Sequence, residues 1–257
     1  MITFFRRIRQ KLITENKITR YLLYAIGEIA LVVIWILIAL QVNNWNEAKK
    51  DRQSEKLYLE ALQTEFSNNL DILDETIHLN EVLVAQLGEL LTFFDKKKLD
   101  TTSTKDIATY IGIALRYEIL YSPSTGVLTD ITSSGNLKLI TNNDLRQDIA
   151  AFGNTLKVLN RQELATIENR NNMSSYTKEN ISLRAVFKAL SNTAPENSKF
   201  EESNIKALFD LVVFENDLTL YQEMSQTTGN VYYTSLKKDI EHILNLISTE
   251  LNNIKWN

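Results

Sequence analysis

Apolar positions along this chain follow two different patterns. From Tyr21 to Val42 they run almost without a break, YLLYAIGEIALVVIWILIALQV, with Glu28 the one charge among 22 residues. At 1.5 Å per residue a helix of that length spans roughly 33 Å, enough to cross a hydrocarbon core. From Leu59 the spacing changes. Leu59, Leu62, Phe66, Leu70, Leu73, Ile77, Val84, Leu87, Leu91 and Phe94 recur on a helical period, with Asn80 the polar break in the seam. This predicts one long amphipathic helix continuous with the apolar run. Asn80 either sets the register with a partner or is satisfied by water. Lys96, Lys97 and Lys98 read as the end of that helix, where cations complement the dipole.

Local signals divide the remainder. Ser103-Thr104-Lys105-Asp106 has capping-box spacing and predicts a second helix to about Glu118. Ser122-Pro123 reads as an N-cap followed by a first-turn proline, and Gly135 as the stop of a short third helix. Thr141-Asn142-Asn143-Asp144 opens a fourth helix to about Leu190, which the polar stretch Asn169 to Asn180 could break. A loop is expected at Ser191 to Ser198 around Pro195, then a fifth helix from about Glu202 to Asn253. Its last third carries Leu236, Ile240, Ile243, Ile247, Leu251 and Ile254 on one stripe. The first and last body helices are expected to be antiparallel, with residue 50 level with about 253.

Composition sharpens this picture. With 7 glycines and 2 prolines the 257-residue chain lacks the turn residues of an all-β fold. It has no cysteine, so disulfides and thiolate chemistry are excluded. The net charge of −4 is segregated. Residues 1–20 carry six basic residues and one acid, net +5. Residues 43–257 carry 22 basic and 30 acidic residues, net −8. An acidic body argues against nucleic acid as a partner.

The flanks orient the apolar run. The basic head precedes it and Trp45 follows, as interfacial anchors do. No small-x-small cleavage site follows the run, which exits through Ala39-Leu40-Gln41-Val42-Asn43-Asn44. An uncleaved anchor with the N-terminus in the cytoplasm is expected. Lys49, Lys50, Arg52 and Lys56 on the far flank narrow that margin. Within the head, Ile2, Phe5, Ile8 and Leu12 share a helical face opposite Arg6, Arg7 and Lys11, suited to an anionic membrane surface. Glu28 falls inside the inner leaflet, where it marks an intramembrane contact with another helix or is tolerated near the interface.

The candidates for chemistry are few. Glu75-Thr76-Ile77-His78 and Asp239-Ile240-Glu241-His242 have the spacing of ferritin-like metal motifs. Both histidines, however, lie off the apolar seams. The assumed helix register also separates them by some 17 residues, roughly 25 Å, so no shared metal site is expected. There is no Gly-x-Ser-x-Gly elbow, phosphate loop or dinucleotide fingerprint. Ser124-Thr125-Gly126 at a helix start could receive an anion on free amides, or simply begin a helix. Asp148 with Glu163 or Glu168 could form an acid/base pair, but such residues more often sit on solvated helix faces. Tyr110, Tyr117, Tyr121, Tyr221, Tyr232 and Tyr233 are expected at bundle boundaries or around a small pocket.

Several stretches carry a resemblance. They are Phe4-Phe5-Arg6-Arg7-Ile8-Arg9, Glu15-Asn16-Lys17, Tyr24-Ala25-Ile26-Gly27-Glu28-Ile29, and Ile36 through Ala39-Leu40-Gln41-Val42-Asn43-Asn44-Trp45-Asn46-Glu47. Ser122-Pro123-Ser124-Thr125-Gly126-Val127-Leu128, Ser134-Gly135-Asn136-Leu137 and Asp144-Leu145-Arg146 add to it. Together they resemble a family of uncharacterised single-pass membrane proteins of Bacteroidota-type bacteria, classed as a domain of unknown function. The resemblance implies membrane anchoring and no chemistry. Trp35 stands where the family pattern has a glycine. It shares a face with Glu28, Val32 and Ala39, which argues against tight small-residue helix pairing there.

The expected fold is therefore all-α. One N-terminal transmembrane helix continues into an extracytoplasmic bundle of long antiparallel helices. The parts are a basic cytoplasmic segment (1–20), a transmembrane helix (21–42) and an extracytoplasmic helical domain (43–257). The expected location is the bacterial inner membrane, with the body periplasmic. The expected role is non-enzymatic, without cofactor or metal. Its partners would be the lipid bilayer and an envelope protein or a second copy. The alternative is a ligand-binding sensor bundle that signals through the span.

Overall fold

The computed structural model describes residues 18–116, 118–190 and 205–255. The patterned head at 1–17, Tyr117 and the loop around Pro195 fall outside them. Most of the described residues are helical and none lies in a strand. They form α1 (Ile18–Leu91), α2 (Lys96–Thr101), α3 (Thr104–Arg116), α4 (Gly126–Ser133), α5 (Asn143–Asn180), α6 (Leu183–Leu190), α7 (Val212–Thr227) and α8 (Thr234–Lys255). A π-helical turn, Thr228–Tyr233, joins α7 to α8, and short 3₁₀ turns occupy Thr92–Phe94, Asn136–Leu139 and Ile205–Asp210.

The chain divides into two compact units, Met1–Glu55 and Lys56–Asn257, with the boundary inside α1. In the first unit α1 is long and apolar enough to cross a membrane. An 18-residue window has mean hydropathy 2.4 and none of it is buried. Leu23, Ile29, Val32, Trp35, Leu37 and Trp45 all stand exposed.

In the second unit, the 56–91 part of α1 and α8 run antiparallel. Gln63 bonds Ser248 at 3.2 Å and Lys237 bonds Asp74 at 2.7 Å. This register differs from the expected one. It sets His242 level with about residue 69, some nine residues or roughly 13 Å from His78. The expectation took residue 50 as level with about 253, whereas these bonds set 253 level with about 58, because the helix ends by themselves do not fix the register of two packed helices.

Local signals explain most element boundaries. Ser103 caps α3 by accepting from Asp106 N–H, and the Asp106 carboxylate accepts from the Ser103 hydroxyl rather than from the Ser103 N–H that a full capping box would use. Asn142 caps α5 by accepting from Leu145 N–H at 3.0 Å. Gly135 ends α4 at φ 76°, a left-handed position costly for any residue with a Cβ. The polar stretch Asn169 to Asn180 does not break the fourth helix: α5 runs through it, and the break falls just beyond, where Ile181 turns extended before α6. The lysine triplet does not close α1. It opens α2, whose cap is the Asp95 carboxylate on Lys98 N–H. Lys98 then reaches Glu89 at 2.9 Å.

The interior of this unit has two apolar clusters. One joins Leu59, Leu62, Phe66 and Leu73 of α1 to α4, the first half of α5 and α8. The other joins Leu83, Leu87, Leu90 and Phe93 to α3, α6, α7 and Met173 of α5. Phe93, Phe94, Phe209 and Phe214 stack edge to face at the far end of the second cluster.

Candidate functional site

Between the two clusters each long helix places polar residues inward. On α1, Thr76 and Asn80 separate Leu73 from Leu83. On α5, Glu163 separates Leu159 from Met173. On the final helical stretch, Ser225 and Thr228 separate Tyr221 from Tyr233. These residues form a buried polar layer, and buried polar groups persist only where they are hydrogen-bonded.

Asn80, the polar break in the seam, has a partner within the chain. Its Nδ2 donates to Ser225 O at 3.0 Å, so neither water nor a second chain is needed for that bond. The contact relies on Gly229, where a Cβ would lie 2.6 Å from Asn80 Nδ2. The π turn begins beside this contact. Its extra residue per turn leaves backbone groups offset from the α ladder, a geometry that occurs mostly as single turns and often at functional sites. Thr166 and Thr228 hydroxyls meet at 3.1 Å, and Gln162 donates to Thr228 at 3.3 Å.

Glu163 is the centre of the layer, with 2% exposure. Its Oε1 accepts Tyr121 N–H and Tyr233 O–H, each at 2.8 Å. Burial raises the carboxyl above its usual range, and the two hydrogen bonds pull it back in part. Burial and the Glu163 charge push both tyrosines upward, so they remain protonated donors at neutral pH. A cavity of about 10 Å³ adjoins Glu163, lined also by Asn80, Glu118, Arg170, Thr228 and Tyr233. It has room for about one water. Arg170 turns its guanidinium to Leu115 O and to Glu118 at 3.4 Å.

The second part of the site is a strap, residues 118–125, without regular secondary structure, between α3 and α4. Three α1 and α5 side chains clamp it. Glu163 holds the Tyr121 amide. Asn69 pairs with the Ser124 backbone at both ends of its carboxamide, accepting N–H at 2.8 Å and donating to O at 2.7 Å. Glu65 accepts from Val127 N–H at 2.8 Å and Leu128 N–H at 2.9 Å. Ser122 is therefore not the cap of this helix, which starts at Gly126 after three further strap residues. The anion at its N-terminus is the protein's own Glu65. A carboxylate from another helix satisfies the free amides better than a local serine. The strap is one of the stretches singled out by sequence.

The other candidates separate. His78 and His242 are both exposed, as expected from their positions off the seams. His242 Nε2 lies 3.5 Å from Asp148, beside Asp239, in a surface groove of about 140 Å³. Partial burial raises Asp239, the neighbouring Asp148 charge raises it further, and His242 lowers it. Glu75 is exposed on α1. Among the described residues no cluster of His, Asp and Glu could hold a metal ion. Asp148, Glu163 and Glu168 do not converge. Asp148 faces the His242 groove, Glu163 is buried, and Glu168 is exposed. Tyr121, Tyr221 and Tyr233 are buried, while Tyr110 and Tyr232 are half-buried at the edges of the clusters. Glu28 is half-buried on α1, with Val32, Trp35 and Ala39 of its face exposed.

Sequence reasoning missed Glu65, Asn69 and the buried role of Glu163. One signal was present: Glu65 and Asn69 lie next to Phe66 and Leu70 of the apolar stripe, on the core side of α1. No curated protein and no solved structure matches the chain. A family model covers residues 28–217, which include the strap and the polar layer up to α7. The chain belongs to that family, DUF6090, a family of unknown function.

Proposed function

We propose that this protein is a non-enzymatic helical module anchored in the bacterial inner membrane by residues 21–42, with its body on the periplasmic side. There it engages an envelope protein or a second copy of itself. The observation carrying this reading is the exposed apolar segment of α1. Its window is none of it buried, which a core helix of a soluble protein would not tolerate. The +5 head and exposed Trp45 support the orientation. The buried Glu65, Asn69, Asn80 and Glu163 are used internally, in the helix cap, the strap clamps and the layer, which supports a scaffold rather than a catalyst. Crosslinking in intact cells, then detergent solubilisation, pull-down and mass spectrometry, tests it. A discrete envelope partner or a homo-oligomer is expected. Recovery of monomer alone overturns the partner assignment.

A depression of about 320 Å³ on the body, lined by Thr104, Lys105, Ala108, Ala185 and Lys188, favours a second reading as a ligand-binding sensor. Thermal-shift screening with anionic metabolites tests it. Stabilisation lost in a Lys105→Ala variant supports a sensor, and no stabilisation by any metabolite removes it.

A further inference from the structure

We propose that Glu163 is a proton-operated clasp, which holds the 118–125 strap and the Thr228–Tyr233 π turn onto α5 when protonated and loosens them when ionised. The geometry carries this. One buried carboxyl oxygen receives donors from two separate pieces of chain, the strap amide of Tyr121 and the π-turn hydroxyl of Tyr233. Both donors are neutral. Its surroundings hold two charged side chains among the described residues, Arg170 of α5 and Glu118 of the strap, and these face each other at 3.4 Å. From α1 the nearest polar group lining the cavity is Asn80, from α7 Tyr221, and from the π turn Thr228 and Tyr233. Arg170 thus spends its terminal nitrogens on Leu115 O and Glu118, its buried Nε has no partner, and among the described residues no ion pair joins a cation to Glu163.

The carbonyl oxygen of a protonated carboxyl still accepts both bonds, so protonation removes the buried charge and keeps the clasp. Opening the strap lets water reach the carboxyl and favours its ionised form. The closed state therefore binds the proton more tightly than the open one, in keeping with the upward shift caused by burial. Linkage then requires the strap-opening constant to rise with pH, by up to about tenfold per pH unit across the titration.

Hydrogen–deuterium exchange on the full chain in nanodiscs, from pH 4.5 to 8, tests this. After correction for intrinsic exchange, the peptide covering 118–126 is expected to lose protection as pH rises. E163Q, which keeps the acceptor and cannot ionise, is expected to stay protected with a flat profile. Unchanged pH dependence in E163Q, or a flat profile in the unmodified protein, overturns the clasp. Y233F gives a reading that does not depend on E163Q folding. Loss of one donor to the carboxylate is expected to move the protection loss to higher pH, and an unmoved profile overturns the proposal.

Discussion

At the scale of single residues, two glutamates that look alike in sequence do opposite work. Glu65 accepts two amides at the start of α4, where the helix dipole favours a negative charge. Glu65→Ala leaves those amides without their acceptor. It is expected to cost about 1–3 kcal/mol, read as a lower unfolding temperature by circular dichroism. Glu65→Gln, which still accepts, is expected to cost less. Glu163 is buried where ionisation is penalised. Its folded carboxyl is raised, so its contribution to stability is greatest below the unfolded pKa and is lost as pH rises through the folded one. Glu163→Gln is therefore expected to unfold at a higher temperature than the unmodified protein at pH 7.5. The gap should close on acidification. A gap that persists at pH 4.5 contradicts this sign.

At the scale of elements, the last helical stretch is the informative one. The sequence pattern predicts a single helix over roughly 202–253, and the apolar stripe of α8 is where that pattern places it. The π turn is not legible, because a stripe of apolar residues reads the same on either side of one inserted residue. What the turn meets is tertiary: Gly229, without a Cβ, leaves room for Asn80 to reach Ser225 O. Gly229→Ala is expected to cost about 1–3 kcal/mol by displacing a buried hydrogen-bonded amide. Combined with Asn80→Ala, which removes the clashing group, the double variant is expected to lose less than the sum of the singles. Additive losses in thermal unfolding would show that the two residues are not coupled. The cap at Ser103 and the stop at Gly135 were legible for the opposite reason. Each acts within a few residues of itself.

At the scale of the whole molecule, the reading rests on charge segregation and one exposed apolar segment. The chain has no cysteine, so a single introduced cysteine reports its own side of the membrane without background. In cells with a permeabilised outer envelope, a membrane-impermeant maleimide is expected to label Gln147→Cys, exposed on α5. Thr14→Cys, in the basic head, is expected to react only after lysis. The reverse pattern inverts the proposed topology.

The sequence by itself determined the apolar segment, the helical class and the helix ends set by local caps and stops, because each follows from period, composition or contacts between near neighbours in the chain. Only the tertiary structure decided the polar layer. Glu65 meets residues some 60 positions away, Asn80 meets Ser225, and Glu163 gathers Tyr121 and Tyr233. In the sequence these are ordinary polar positions on or beside an apolar stripe. Their burial, and with it their chemistry, depends on which helices pack together and in what register.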